Sequence, residues 1–365
     1  MAKNKYTPRI LIGLTAFVVY LLVAARPIPP EAVLVPQWLR SLESGYPRQA
    51  ASGAEDPPEG RPLGELIPFR LGPRFGYFDS GGVFSLSRET QGGLAMNRDF
   101  WALYDGEGAI EVRNPQDERV ITIARNQGYP LFMDGRFFLL GDELNYLTAL
   151  DSSGGAEWTY DFAAPITGID AAAGMVLTGF LDGTVEILDS QGRRIFDLKP
   201  GGSRLAAIYA CRISRDGSRL AIVSGYDDQR FLLLERSGDS WKVAYHEFLS
   251  DGFRRDVHLA FVDGDRRVAF EREGGIGIYD IAGRRVYQAD LEGRVYRLED
   301  RGDGNLLFAI TALSETRKEL VAIRYPGTVI MRAPFRSRYA FLERQGERLY
   351  VGGGSAIASF SLERR

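Results

Sequence analysis

The sequence of 365 residues is poor in the residues that most often build catalytic and metal sites, with one cysteine and two histidines. Cys211 cannot form an intramolecular disulfide, and its position in an apolar run predicts a core residue. His246 and His258 fall in predicted strands and lack the spacing to Asp, Glu or Cys that a metal site needs. His258 alone could face a central channel. The sequence thus predicts no catalytic, cofactor-binding or metal-binding residue, and no cofactor.

Lysine is also scarce, so arginine carries nearly all of the positive charge. The formal net charge is −3 at pH 7, which provides no general field for a phosphate backbone and argues against a nucleic-acid partner. The arginines are spread along the chain rather than clustered. We interpret the pairs Arg254-Arg255 and Arg266-Arg267 as solvated turns.

A long hydrophobic run occurs only once, from Ile10 to Ala25, where no charge interrupts the sequence. Lys3, Lys5 and Arg9 precede it, and the positive flank of a membrane segment stays in the cytoplasm. Residues 10–25 are therefore predicted to be a transmembrane signal anchor after a short cytoplasmic tail, residues 1–9. The remainder would lie in the periplasm or outside the cell. A cleaved signal peptide is the alternative.

Residues 26–69 form the predicted juxtamembrane segment and linker. Apolar residues between Glu31 and Gly45 predict a short helix, with Trp38 at the membrane surface or packed on the following domain. From Tyr46 to Pro68 the sequence is rich in Pro, Gly, Ala and charge. Such a composition cannot bury enough apolar surface to order itself, which predicts a spacer.

Helical periodicity is absent from residues 70–365, and short alternating strands recur instead. One apolar strand is repeated at intervals of about 40 residues, as in propeller blades. The repeats end at Val112, Leu150, Leu188, Leu234, Tyr279, Ile323 and Phe360. Three of them end in an aspartate followed by a glycine, a pattern typical of a tight turn. These pairs are Asp151 and Gly154, Asp189 and Gly192, and Asp280 and Gly283.

Seven repeats predict an all-β fold, a seven-bladed β-propeller over residues 70–365. The last blade has only three strands before the chain ends, so we expect Phe75–Arg88 to supply the fourth and close the ring. An eight-bladed ring is the alternative, and it requires residues 70–93 to form more of a blade.

The segment from Tyr146 to Leu198 resembles two successive repeats of the quinoprotein-like propellers, and other repeats resemble WD-repeat blades. The residues that carry the resemblance are Ala149, Asp151, Gly155, Trp158, Asp182, Gly183, Leu188 and Asp189. In that superfamily the turn and the tryptophan dock one blade on the next. Its enzymes hold a quinone and calcium with many tryptophans, whereas this chain has four tryptophans. The resemblance therefore implies a non-enzymatic member.

The predicted function is that of a membrane-anchored protein-binding scaffold in the cell envelope, because a propeller presents loops on a rigid ring. Its partners would be the membrane, through the N-terminal helix, and an envelope protein or peptide on one propeller face. The alternatives are a quinone-dependent or carbohydrate-active propeller enzyme, and a ligand sensor.

Overall fold

The computed structural model describes residues 32–43, 65–104, 108–124, 128–249, 253–301 and 305–364. Every regular element in this part of the chain is a β-strand, and the strands form eight antiparallel sheets. Seven of the sheets have four strands and one has three. Each sheet is one blade, and we number the blades along the chain from the three-stranded one.

Blades 2 to 7 each use four consecutive strands, which we call inner, second, third and outer in chain order. Their bounds are β5 Gly93–Met96, β6 Trp101–Tyr104, β7 Ile110–Arg113, β8 Arg119–Ile123, β9 Tyr129–Met133, β10 Arg136–Leu140, β11 Tyr146–Leu150, β12 Ala156–Asp161, β13 Ile166–Ala172, β14 Met175–Phe180, β15 Val185–Leu188, β16 Arg194–Leu198, β17 Ile208–Ile213, β18 Arg219–Ser224, β19 Arg230–Ser237, β20 Ser240–Phe248, β21 Leu259–Val262, β22 Arg267–Arg272, β23 Gly275–Asp280, β24 Arg285–Asp290, β25 Arg294–Glu299, β26 Leu306–Ala312, β27 Arg317–Arg324 and β28 Thr328–Arg336. Inner strands of neighbouring blades contact each other, as β9 and β13 contact and β13 and β17 contact. The inner strands therefore surround the ring centre.

Blade 8 joins the two ends of the described chain. Its strands are β29 (Ala340–Gln345), β30 (Arg348–Gly353), β31 (Ala356–Arg364) and, as the outer strand, β1 (Ala32–Ser41). β1 pairs antiparallel with β31. This pairing closes the ring and covers an edge that could otherwise recruit other chains.

Blade 1 contains β2 (Ile67–Leu71), β3 (Arg74–Phe78) and β4 (Phe84–Glu89). Its turn between β3 and β4 matches the third-to-outer turn of blade 4. Asp79 accepts backbone N–H bonds from Gly81 and Val83, both at 2.9 Å. Asp189 in blade 4 accepts the corresponding bonds from Gln191 and Arg193, also at 2.9 Å.

The docking of this turn on the preceding blade is also the same. Trp38 on the outer strand of blade 8 donates its indole N–H to the Ser80 carbonyl at 3.1 Å. Trp158 on the outer strand of blade 3 donates to the Ser190 carbonyl at 3.0 Å. β3 and β4 are therefore the third and outer strands of blade 1, and β2 is its second strand. Among the described residues, blade 1 has no inner strand.

Apolar side chains between the sheets form the core. A representative cluster joins blades 4 and 5 and includes Leu177, Ile187 and Leu232, each at most 1% exposed. Buried and exposed residues alternate along outer strands such as β28. This is the pattern that the short alternating runs in the sequence predict for a strand with one buried face. The Asp-x-x-Gly turns predicted after β11, β15 and β23 are present, with an aspartate oxygen accepting a backbone N–H in each.

Three sequence predictions need correction. The ring has eight blades rather than seven, because β2, β3 and β4 form a blade of their own. The closing strand is Ala32–Ser41 rather than Phe75–Arg88. The helix predicted between Glu31 and Gly45 is wrong, since β1 is extended and its apolar residues pack on blade 8.

The predicted anchor, residues 10–25, and most of the predicted spacer lie outside the described residues. Within the described part, no helix is long and apolar enough to cross a membrane. The anchor therefore stays a prediction.

Candidate functional site at the ring centre

A cavity of about 1010 Å³ opens at the ring centre beside blade 1. Its walls come from β2, from the inner strands of blades 2, 3, 7 and 8, and from residues next to these strands. The lining residues include Pro68, Arg70, Met96, Arg98, Phe132, Tyr296, Arg297, Arg301, Tyr339, Phe341 and Glu343. The cavity therefore lies on the side of β2 where the other blades have an inner strand. Its volume is at the upper end of the range for ligand pockets.

One buried carboxylate lies in the cavity wall with three guanidinium groups around it. Glu343 on β29 is 3% exposed. Its Oε1 lies 3.1 Å from Arg301 and 3.3 Å from Arg98, and its Oε2 lies 3.6 Å from Arg297. The arginines are much more accessible, at 61%, 31% and 51% exposed respectively. Each guanidinium has five N–H donors, so this cluster retains donor capacity toward the cavity.

A second buried carboxylate, Glu299 at the end of β25, lies next to this cluster. Burial, followed by the charge of Glu343, raises the pKa of Glu299 from 4.5 to about 7. Arg301 lies 3.9 Å from it and acts in the opposite direction. Arg70 on β2 adds a fourth guanidinium, which is exposed and has no ion pair with any described residue. Positive charge therefore prevails at the cavity wall.

Apolar side chains form the rest of the cavity lining. Phe132, Phe341 and Met96 are examples. No tryptophan is among the lining residues, and Trp158 and Trp38 serve instead as docking residues between blades. This lining gives no support to the quinone alternative, for which a tryptophan should stack in the channel.

The two residues singled out for possible chemistry lie elsewhere. His258 precedes β21, does not line the cavity, and has a pKa lowered by burial. Cys211 is 0% exposed, and burial raises the pKa of its thiol to about 12, as expected of a core residue. In the described ranges, no three residues of the His, Cys, Asp and Glu types are grouped so as to hold a metal ion.

The interpretation of the arginine pairs as solvated turns was wrong for two of the four residues. Arg255 forms a bidentate pair with Glu271, at 2.6 and 3.0 Å, and Glu271 is 3% exposed. Arg267 is 19% exposed and pairs with Asp280 at 3.1 Å. Arg267 also pairs with Asp263. Glu271 and Asp280 lie on the strands β22 and β23 rather than in the turns of the arginine pairs, so composition could not reveal these pairs.

Sequence analysis also missed the cluster of Arg98, Arg297, Arg301 and Glu343. Its members come from three different blades, which only the closed ring brings together. One signal was present in the sequence: Glu343 and Arg344 follow the apolar run Ala340–Leu342 within a single strand. Both are buried, at 2% and 1% exposed. Charged residues rarely occupy such positions without partners.

The ring of sheets around a central cavity defines a β-propeller, and comparisons with known proteins agree. A family model described as beta-propeller protein matches residues 1–364. The chain belongs to this family. A relative from Treponema pallidum (strain Nichols), described as an uncharacterized protein, is 32% identical over 270 residues, covering 72% of this chain and 70% of the relative.

Solved structures share the fold at low sequence identity. The crystal structure of BamB from Moraxella catarrhalis matches with a TM-score of 0.57 and 13% identity, covering 90% of this chain and 100% of that chain. A chain of the mitotic checkpoint complex matches with a TM-score of 0.54 and 12% identity, covering 74% and 90%. The resemblance to quinoprotein-like and WD-like propellers is thus confirmed at the level of architecture.

Proposed function

We propose that this protein is a membrane-anchored scaffold of the cell envelope that binds a protein partner at the central cavity. The observation that carries the proposal is the cavity of about 1010 Å³ beside blade 1, with its exposed arginines and apolar walls. A mixture of aromatic, apolar and arginine residues is typical of the centres of protein interfaces.

The fold neighbours support protein binding in general terms. One of them is part of the mitotic checkpoint complex, an assembly of proteins. BamB shares the architecture over its whole length. Placement in the envelope rests on the apolar run at residues 10–25, its basic flank and the positive-inside rule.

Site-specific photo-crosslinking in intact cells tests the binding site. A photoreactive amino acid is placed at Tyr339, which lines the cavity and is 39% exposed, or at Val243 on an outer strand, which is 47% exposed. The proposal expects a discrete protein adduct from position 339 and none from position 243. Equal adducts from both positions, or none from position 339, would contradict it.

Membrane anchoring is tested separately by alkaline extraction of the envelope fraction. The full chain should stay with the membrane, and a variant in which residues 10–25 are deleted should be released. The mass of the mature N-terminus then separates a retained anchor from a cleaved signal peptide.

A further inference from the structure

The edge of β2 that faces the cavity is an open strand edge. β2 pairs with β3 and with no other described strand. The loop that joins β2 to β3 has two residues, so Leu71 and Arg74 form the hydrogen-bonded pair next to the loop. Alternate residues then direct their backbone groups away from β3. These are Pro68, through its carbonyl, and Arg70, through its N–H and carbonyl.

Pro68 is consistent with this position. Proline lacks an N–H donor and is confined to edge strands in sheets. The other prolines within described strands are Pro36, Pro130 and Pro334, on β1, β9 and β28. Each of these strands lies at an edge of its sheet, being either inner or outer. β2 therefore occupies the second-strand position of its blade, which is an interior position in the other blades, but its sequence is typical of an edge strand.

The cavity next to this edge has the charge and shape for an extended acidic peptide. Arg98, Arg297 and Arg301 all contact the carboxylate of Glu343 within 3.1 to 3.6 Å and are 31% to 61% exposed. Arg98 also pairs with Glu65, and Arg301 with Glu299. Guanidinium groups bind carboxylates through paired N–H donors. Apolar residues of the lining, including Phe132 and Phe341, suit the alternate side chains of a strand.

We propose that this cavity accepts an extended peptide segment of a partner protein, which pairs with β2 at the inner-strand position of blade 1, where no described strand lies, and directs a carboxylate at the arginines around Glu343. This inference rests on the proposed function and specifies the chemistry of its partner. Addition of a strand to a sheet edge is a general mode of peptide recognition, in which backbone bonds give affinity and side-chain pockets give specificity.

The chain itself offers a poor candidate for this strand. Residues 44–64 connect β1 to β2 in sequence, at the chain position where an inner strand would fall. Between Tyr46 and Leu63 there is no β-branched, aromatic or leucine residue, and four prolines occur, Pro47, Pro57, Pro58 and Pro62. Such a composition disfavours a strand.

Selection from a random-sequence peptide library with free termini tests the inference, using the full chain in detergent micelles as target. Enriched peptides should carry an Asp, a Glu or a free terminal carboxylate next to alternating apolar residues. Replacing that carboxylate by an amide, or introducing Arg297→Gln with Arg301→Gln, should weaken binding at least tenfold. The control Arg119→Gln removes an arginine that is 64% exposed on an outer strand and should leave affinity unchanged.

The outcomes separate the inference from the proposed function. Two results would overturn the inference and leave the scaffold proposal intact. The peptides that crosslink at Tyr339 could lack carboxylates, or their affinity could be unchanged by Arg297→Gln with Arg301→Gln. Failure to enrich any peptide at the cavity would also overturn the inference, whereas the scaffold proposal is overturned by the absence of a protein adduct at position 339 in intact cells.

A variant in which residues 46–63 are replaced by a Gly-Ser sequence of equal length tests whether the chain's own segment occupies the site. Unchanged peptide affinity supports a partner strand. A gain of tenfold or more would show that the chain's own segment fills the site, and would overturn the inference.

Discussion

Blades 1 and 4 attach to their preceding neighbours in the same way but differ at the ring centre. In both, an aspartate-capped turn lies against a tryptophan of the preceding outer strand, with indole N–H distances of 3.1 and 3.0 Å. Blade 4 has an inner strand, β13, which contacts β9 and β17. Blade 1 has no described inner strand and borders a charged cavity instead.

Among the described residues, blade 1 thus has the outer docking of a blade without an inner strand. The turn and the tryptophan fix the outer half of a blade on its neighbour. The inner position can then serve recognition instead of packing. At the cavity the buried carboxylate of Glu343 is compensated by arginines that remain partly exposed.

The largest effect is expected from the apolar core of the complete blade. Leu177→Ala on the second strand of blade 4, where the side chain is 0% exposed, should lower the free energy of unfolding by about 3 kcal/mol. Arg70→Ala on the second strand of blade 1 should change it by less than about 0.5 kcal/mol, because Arg70 lies on an open edge. Urea denaturation measures both, and similar losses would mean that β2 is covered.

The docking tryptophan should contribute more to stability at blade 1, where no described inner strand adds contacts to the neighbouring blades. Trp38 packs on two rings, Phe78 and Tyr350, with centroids 5.8 and 5.9 Å away, whereas Trp158 packs on one, Phe138, at 6.1 Å. Trp38→Ala should therefore cost about 2 kcal/mol and Trp158→Ala about 1 kcal/mol. The adjacent control Leu39→Ala, at a side chain 69% exposed, should cost less than about 0.5 kcal/mol. Equal costs for the two tryptophans would remove this difference between the blades.

The charged cavity should give the stability a pH dependence that originates at Glu299. The pKa of Glu299 in the folded protein is about 7, above its ordinary 4.5, so folding is favoured while the group holds its proton. This contribution is complete below about pH 4.5 and is lost as pH rises through about 7. Glu343, Arg297, Arg301 and Arg344 are the charged groups that act on it.

Glu299→Gln should remove this loss and raise the free energy of unfolding at pH 8 by on the order of 1 kcal/mol relative to the wild type. Thermal melts from pH 4.5 to pH 8 provide the comparison. The control Glu157→Gln, at an exposed glutamate on β12, should retain the wild-type dependence. An unchanged profile for Glu299→Gln would contradict the account of the cavity charges.

The smallest difference in the free energy of unfolding is expected between the aspartate-capped turns of blades 1 and 4. Asp79→Ala and Asp189→Ala each remove two hydrogen bonds of 2.9 Å to backbone N–H groups. Each should cost about 1 kcal/mol, within a few tenths of the other. Chemical denaturation of the two variants side by side measures this, and a clear inequality would argue that the two turns are not equivalent.

Sequence predicted most of the ring but not its closure. The seven repeated strands ending at Val112 through Phe360 are the third strands of blades 2 to 8, whose buried apolar residues recur once per blade. β3, the third strand of blade 1, was missed as an eighth repeat because Phe75–Arg88 was assigned instead as the strand that closes the ring. β1 was read as a helix because Pro36 and its bulge disturb the alternation of apolar residues.

The candidate site could not be predicted, since Arg98, Arg301 and Glu343 are brought together by ring closure rather than by local sequence. Asp79 and Gly82, by contrast, form the same turn as Asp189 and Gly192 and could have been found by extending the repeat pattern toward the N-terminus.

Hydrogen exchange of the Arg70 amide tests the central claim most directly. In the free protein this N–H should exchange rapidly, because no described strand accepts it, while the amide of Leu177 in blade 4 should be strongly protected. Addition of a selected acidic peptide should protect Arg70 and leave Leu177 unchanged. Strong protection of Arg70 in the free protein would show that blade 1 is already complete and would contradict the account.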